Sequence, residues 1–422
     1  MAHTRGAVLD LRPLRDHREY RLLAGLDAAL GLGGEVTAVA IPLQVYAVTR
    51  SPLAVGMLGL AQLAALLVTA PLGGVVADHV DRRRLLLGGA VAMATVPLLL
   101  ALASSASATP LAALYLLAAA RSGLEAVVTP ARRSVIPFVL PPSLLVAAQP
   151  IEFLTFGVAG VAGPLVAGLC IAGAPGFTGA YLLDAAAFAA AIPLALLLRP
   201  VPSVAAGPAG RGGLRALAEG IGFVRGSPMV RGVFVVDTCA LLFGNPVALF
   251  PALGADLGAG ALGTSLLYTA LSAGSMLATL SSGWTRRVRR DGGVVCIAAG
   301  LWGAAVVLAG LAPWLWAAVI AIAAAGAADT VSGVFRSAIV QRETPAALQG
   351  RVAGLEWAQV NAGPSLGDAE AGVVARLGGV RLSMVSGGLL CVAGVGLVAA
   401  LSGTFRRHTV EVGETGALQS GA

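Results

Sequence analysis

Long apolar runs separated by short polar segments fill almost the whole chain, and this pattern limits its fold more than any other feature. A transmembrane helix needs about 20 largely apolar residues to cross a hydrocarbon core about 30 Å thick. Twelve runs satisfy this rule, with centres near residues 35, 65, 95, 120, 160, 187, 240, 272, 302, 323, 363 and 391. We therefore predict an all-α integral membrane protein with twelve transmembrane helices.

The composition excludes a soluble protein of this size. Only 12% of the residues are charged and 57% are hydrophobic, whereas soluble domains carry about 25% charged residues. The four cysteines stand alone in separate runs and the four histidines lie outside the runs, so we expect no disulfide framework, no metal site and no cofactor.

The arginines predict the orientation of the helices. All 28 basic residues are arginines, and they cluster in every second gap between the runs. If the other gaps face outward, only Arg50, Arg376 and Arg381 lie outside and Arg121 lies within a run. Because basic residues favour the cytoplasmic side, both termini are predicted to be cytoplasmic. The net charge of +7 then reflects topology and does not indicate a nucleic-acid partner.

The chain also repeats itself at an offset of about 203 residues, a spacing typical of transporters with parallel repeats. At this offset Arg83-Arg84 aligns with Arg286-Arg287, and the sequence RSVI at 133–136 aligns with RSAI at 336–339. Two pseudo-symmetric halves of six helices are therefore predicted, at 20–198 and 229–403. They are flanked by a cytosolic segment at 1–19 and a cytosolic tail at 404–422, and joined by a Pro/Gly-rich linker with an interfacial helix at 199–228.

One loop motif and three longer segments resemble the major facilitator superfamily. The charged segment after the second run follows that family's loop pattern at Gly74, Asp78, Arg82 and Arg83, although His79 and Asp81 depart from it. The sequences PLRDHREYRLL at 13–23, VAIPLQVYAVTRSPLAVGMLGL at 39–60 and PARRSVIPFVLPPSLLVAAQ at 130–149 resemble the branch that contains the enterobactin exporter and bacterial drug-efflux proteins.

The resemblance implies a secondary active transporter that alternates between two access states and is not an enzyme. We expect proton-coupled export of a small amphipathic molecule, such as a drug, a siderophore or a secreted metabolite, across a bacterial inner membrane by a monomer. Uptake of a nutrient by the same fold remains an alternative. A membrane-embedded enzyme or scaffold would need a catalytic constellation that the sequence does not show.

Ionisable residues within apolar runs are candidates for coupling or translocation, because their burial in a bilayer is costly. Asp27 and Glu35 lie in the first run and Asp237 in the seventh. The repeat aligns Glu35 with the neighbour of Asp237, so the two carboxylates are predicted to face each other across a central cavity. Burial favours a neutral, protonated carboxyl group, as a proton-coupling site requires.

Further candidates lie in the fourth and tenth runs. Arg121 and Glu125 are spaced to form a salt bridge on one helical face, and Asp329 is a tenth-run candidate. In many relatives an arginine in the fourth helix takes part in proton transfer. A purely structural salt bridge is an equal alternative.

A cytosolic gate is predicted from the charged loop. Arg82 and Arg83 serve as a topological anchor, but Asp78 has no such role, because acidic residues contribute little to orientation. An acidic group at the end of the second helix can bind the positive N-terminus of the eleventh helix. Glu152 and Glu356 are predicted gate partners, the former for Arg82 or Arg83.

The fifth run resembles a Gly/Pro motif of exporters of the family at Gly163, Pro164 and Gly168, whereas Ala159 and Ala167 stand at family glycine positions. Small residues also allow close helix packing in any membrane protein, so packing is the alternative interpretation.

Overall fold

The computed structural model describes residues 10–79, 82–106, 109–133, 135–199, 213–283, 291–402 and 405, and within these ranges the chain is helical without strands. The twelve predicted centres all fall within long helices. These are α1 Arg18–Thr49, α2 Pro52–His79, α3 Arg82–Ser105, α4 Leu111–Arg133, α5 Pro142–Ala172, α6 Gly176–Leu197, α7 Pro228–Phe243, α8 Gly260–Leu280, α9 Asp291–Gly310, α10 Leu315–Glu343, α11 Gln349–Gly378 and α12 Val380–Leu401.

Among the described helices, eleven are long and apolar enough to span a membrane. The remaining long helix, α11, has 30 residues but carries more charged side chains, including Glu356, Asp368 and Glu370. It packs along α2 as an integral part of the bundle. Some of its charged side chains bind protein groups, as Asp368 does at Asn245 and Arg351 does at Glu219, which offsets the cost of charge in a spanning helix.

The packing of the helices repeats between the halves, which confirms the predicted pseudo-symmetry. In the first half α2 packs on α4 and α3 packs on α6; in the second half α8 packs on α10 and α9 packs on α12. The halves meet mainly through two equivalent contacts, α2 against α11 and α5 against α8.

The two ends of the bundle are referred to here as the terminus face and the distal face. At the terminus face, the start of α1 meets the end of α6 through Glu19 and Arg199, 3.7 Å apart. Phe405, which follows α12, lies against Gly232 of α7 and Gly292 of α9. The distal face carries the turn between α1 and α2, where Arg50 ends α1 in a left-handed conformation.

The seventh span is broken within the bundle. Helix α7 ends at Phe243, and the chain continues through a short 3-10 turn, Val247–Leu249, into the helix Phe250–Asp256. Pro246 and Pro251 lie close to the break, where proline removes a backbone N–H donor. Irregular backbone at membrane depth is tolerated where protein or a cavity surrounds it.

The interfacial helix of the linker is present at Gly213–Gly226. Its Glu219 forms an ion pair with Arg351 of α11, and Gly220 lies against Leu355. The helix therefore docks on α11. The side chain of Arg215 lies outside the described residues, as do residues 1–9 and all of the predicted tail except Phe405.

Candidate functional site

A cavity of about 490 Å³ lies among α1, α2 and α4 and reaches the broken seventh span and α11. Its walls are mostly apolar, with Leu30, Ile41, Val55, Met93 and Phe188 among the lining residues. Five ionisable side chains also line it, namely Glu35, Arg121, Glu125, Arg132 and Asp368. An apolar cleft with a few convergent polar groups is typical of a small-molecule site.

Arg121 is the central cation of the cavity. Its guanidinium contacts Glu125 Oε1 at 3.0 Å, which confirms the predicted pair within α4. It also lies 3.0 Å from Asp184 Oδ2 of α6 and donates a hydrogen bond of 3.1 Å to the Gly34 carbonyl of α1. Arg121 therefore joins three helices of the first half, and the local salt bridge is only part of its environment.

Asp184 is a residue that the sequence interpretation missed. It is fully buried in α6, and Thr37 of α1 donates a hydrogen bond of 2.5 Å to its Oδ2. A Cβ atom on Gly33 would lie 2.4 Å from Asp184 Oδ1, so glycine is needed there for close approach. The available signal was a lone aspartate within the apolar sixth run, YLLDAAAF.

Glu35 lies on the cavity wall, on the same helix as Thr37 and Gly34. Among the described residues it forms no ion pair, although Arg121 and Glu125 act on it electrostatically. Gly163 of α5 packs directly against its Cβ position. Glu35 is therefore a partly buried carboxylate near Arg121, which already pairs with Glu125 and Asp184.

Asp27 and Arg132 form a separate ion pair between α1 and α4, with 3.0 Å between Oδ1 and Nε. The Arg132 guanidinium also lies 5.7 Å from the ring centroid of Phe156 on α5. Asp27, predicted as a coupling candidate, is thus held in an ion pair whose cation is on the cavity wall.

Asp237 and Arg336 form the corresponding pair between α7 and α10, at 2.8 Å. Arg336 also contacts Asp329 at 3.4 Å. Asp237 was predicted to face Glu35 across the cavity; in this conformation Asp237 pairs with Arg336 and is not among the residues that line the cavity with Glu35. Arg336, which the arginine count places on the cytoplasmic side, lies within α10, where it compensates Asp237.

The two Asp–Arg pairs are equivalent in the repeat. Asp27 follows the first residue of α1 by nine positions, and Asp237 follows the first residue of α7 by the same interval. Arg132 and Arg336 likewise lie at equal distances along the chain from the first residues of α4 and α10. The offset of 203 residues had aligned Arg336 with Arg133, the neighbour of Arg132, because insertions between the halves shift the register.

Asp368 of α11 lines the distal part of the cavity and was also missed. Asn245, in the break of the seventh span, donates a hydrogen bond of 2.9 Å to its Oδ1. The sequence offers a weak signal, since Asp368 follows a Gly/Pro segment in a run that already contains several polar residues. Only the fold brings it beside the break.

Comparison with known proteins agrees with this architecture. The sequence profile of the Major Facilitator Superfamily matches residues 23–367. The chain belongs to the Major Facilitator Superfamily. It is 29% identical over 399 residues to the enterobactin exporter EntS of Escherichia coli O81 (strain ED1a). This alignment covers 93% of this chain and 92% of that protein. These relatives are transporters and not enzymes.

Solved transporters share the fold of this superfamily member. A bacterial homologue of the human lysosomal transporter Spinster, in an inward-facing and unoccupied conformation, has a TM-score of 0.70 at 17% identity and covers 93% of this chain and 99% of its own. The nucleoside transporter NupG (D323A mutant) has a TM-score of 0.69 at 15% identity, with 91% and 98% covered.

The residues of the loop that resembles the superfamily motif, predicted to form a gate, lie at the terminus face. Gly74 and Asp78 are in the last turns of α2, and Arg82 and Arg83 begin α3, but their side chains lie outside the described residues. Glu152 is partly buried on α5. Glu356 acts electrostatically on Asp237, so it faces the second half's own ion pair.

The Gly/Pro motif of α5 forms close helix contacts. Gly163 packs on α1 at Glu35, whereas Gly168 packs on α8, where a Cβ would lie 2.7 Å from Ser265 Cβ. Pro164 is within the helix between them. The packing interpretation thus has direct geometric support, and it places a contact between the halves at this motif.

Within the described residues, no group of three or more His, Cys, Asp or Glu side chains could hold a metal ion.

Proposed function

We propose that this superfamily member exports a small amphipathic molecule in exchange for protons. The observation that carries the proposal is the cavity, whose largely apolar wall also exposes Glu35 beside Arg121. Apolar contacts would hold the body of the substrate and the carboxylate would take up a proton. The binding and titrating groups then share one space, which allows each to influence the other.

The direction of transport is inferred from sequence similarity. The enterobactin exporter matches this chain at 29% identity over nearly the full length of both proteins. A siderophore, a drug or another secreted metabolite is therefore a suitable substrate. Proteins of the same fold move substrates in different directions, so the fold alone favours neither import nor export.

Alternating access would separate the two halves in turn at each face. The cavity ends toward the distal face at Val55, Val247 and Asp368, where α2 and α11 are in close contact. The arginine distribution favours a cytoplasmic position for the terminus face. The conformation described here is therefore interpreted as closed toward the outside.

Arg121 supports coupling through its shared contacts. Asp184 is fully buried and holds one side of the guanidinium, whereas Glu125 is 47% exposed at its side chain and holds the other. Loss of a proton from Glu35 adds a further negative charge near this cation. A shift of Arg121 toward Glu35 would then change the contacts among α1, α4 and α6 as the proton is released.

Export into inverted membrane vesicles tests this function. Vesicles that contain the full-length protein are incubated with a panel of amphipathic compounds in the external medium, with the pH gradient either intact or collapsed by an ionophore. We expect accumulation of at least one compound class that depends on the gradient. Accumulation that is unaffected by collapse of the gradient would refute proton antiport, and no accumulation above protein-free vesicles would refute export.

A further inference from the structure

We propose that Asp368, positioned by Asn245, binds a positively charged amine group of the exported molecule at the distal end of the cavity. The proposal rests on the export function and adds the chemical class of the substrate to it. It concerns a site on the second half, separate from Glu35 and Arg121 of the first half.

The geometry presents Asp368 as an acceptor. Asn245 donates one hydrogen bond to Asp368 Oδ1 at 2.9 Å and another to the Pro364 carbonyl at 3.3 Å. The Asn245 side-chain oxygen accepts a long hydrogen bond of 3.5 Å from the Val247 amide. Both amide hydrogens of Asn245 are thus used, and the Ala248 backbone N–H also donates to Asp368. These donors fix the carboxylate at the cavity wall, and its two oxygens still have capacity to accept further donors.

The balance of charge favours a cation. The two arginines that line the cavity already bind carboxylates, Arg121 with Glu125 and Asp184, and Arg132 with Asp27. Among the described residues, Asp368 has no arginine within ion-pair distance. A carboxylate within a membrane span is costly when no cation compensates it. An incoming ammonium group would form a charge-assisted hydrogen bond with Asp368 without displacing an arginine of the protein.

The position of Asp368 also links binding to the contact between the halves. A Cβ atom on Gly56 of α2 would lie 2.2 Å from the Asp368 carbonyl oxygen, and one on Gly59 would lie 3.3 Å from Asp368 Cβ. A ligand at this carboxylate therefore sits beside the α2–α11 contact that closes the distal end. Binding there can bias that contact between its closed and open states.

Equilibrium binding to the purified full-length protein in lipid nanodiscs tests the site. The probes share one polycyclic aromatic body and end in a primary ammonium, a hydroxyl or a carboxylate group. Asp368→Asn keeps an oxygen that accepts from Asn245 but removes the charge. Glu370→Gln is the matched control, because it removes a carboxylate from the same helix at a position that does not line the cavity.

We expect the wild type to prefer the ammonium probe, and Asp368→Asn to weaken its binding about tenfold or more, as loss of a charged hydrogen bond predicts. Binding of the hydroxyl probe should stay within about twofold, and Glu370→Gln should leave all three probes unchanged. Equal weakening of all probes, an unchanged ammonium affinity or no ammonium preference in the wild type would each overturn the proposal. Failure of every compound in the vesicle panel to accumulate, with the ammonium preference in binding retained, would refute the export function and leave the binding site intact.

Discussion

Arg121 of α4 and Asp184 of α6 form an ion pair with 3.0 Å between Nη1 and Oδ2, and both side chains are shielded from solvent. Thr37 of α1 completes the arrangement with a hydrogen bond to the same carboxylate oxygen. Three helices of the first half are therefore joined at one buried polar point beside the cavity. Buried charges of this kind contribute through their pairing, since an isolated one is strongly unfavourable.

Substitution of Asp184 should destabilise the protein more than substitution of Glu125, although both carboxylates contact Arg121. Asp184→Asn leaves Arg121 with an uncompensated buried charge on one side, and loss of one partner of a buried pair costs about 3–5 kcal/mol. Glu125→Gln should cost about 0–1 kcal/mol, because that side chain is nearly half exposed. The loss is measured for each variant as the change in the free energy of unfolding in mixed micelles. Equal losses for Asp184→Asn and Glu125→Gln would contradict the structural role of Asp184.

Glu35→Gln should uncouple export from the proton gradient. The amide resembles the protonated carboxyl group, so the variant can no longer exchange a proton at this position. In inverted vesicles, we expect loss of gradient-driven accumulation of at least about tenfold while substrate binding is retained. Asp256→Asn, an exposed position that does not line the cavity, serves as the control. A Glu35→Gln variant that accumulates substrate at the wild-type rate would remove Glu35 from the mechanism.

Gly56→Ala should weaken the closed contact between α2 and α11. The added Cβ would meet the backbone carbonyl of Asp368 at 2.2 Å, and backbone atoms cannot move aside as a flexible side chain can. We expect more of the outward-open state, detected as faster labelling from outside of a cysteine placed at Ala38 on the cavity wall. The native cysteines are first replaced by serine or alanine. Gly88→Ala on α3, where an added Cβ meets no atom within 4 Å, should leave the labelling rate unchanged.

The ion pair of the second half should respond asymmetrically to substitution. Arg336→Gln leaves Asp237 buried and without its cation, whereas Asp237→Asn leaves Arg336 in contact with Asp329. The first change should lower the free energy of unfolding by about 3 kcal/mol or more and the second by distinctly less. Equal losses in the two variants would show that Asp329 does not compensate Arg336.

Asp78→Asn should impair closure at the terminus face. The sequence predicts that this carboxylate binds the N-terminus of α11, an interaction of charge with the helix dipole. We expect slower export with unchanged membrane insertion, because Arg82 and Arg83 still anchor the loop. Ser281, at the corresponding position of the second half, provides the control substitution Ser281→Ala. Transport by Asp78→Asn at the wild-type rate would refute this gate.

The candidate site was only partly accessible from the sequence. The pairing of Arg121 with Glu125 follows from helical periodicity, since residues four apart share one face. The partners of Asp27 and Asp237 are more than 90 residues away along the chain, and no local pattern specifies them. Asp368 gained importance only through Asn245, which lies in a break of the seventh span that the hydropathy pattern does not reveal.

The sequence by itself determined the number and order of the helices, the two-fold repeat and the family. These features depend on apolar length, charge distribution and local motifs, all of which act within or between neighbouring segments. The tertiary structure alone decided which distant carboxylates Arg121, Arg132 and Arg336 hold, which acids reach the cavity and which small residues bring the halves together. Those outcomes depend on the rotation and depth of each helix, and these are set by packing against distant helices.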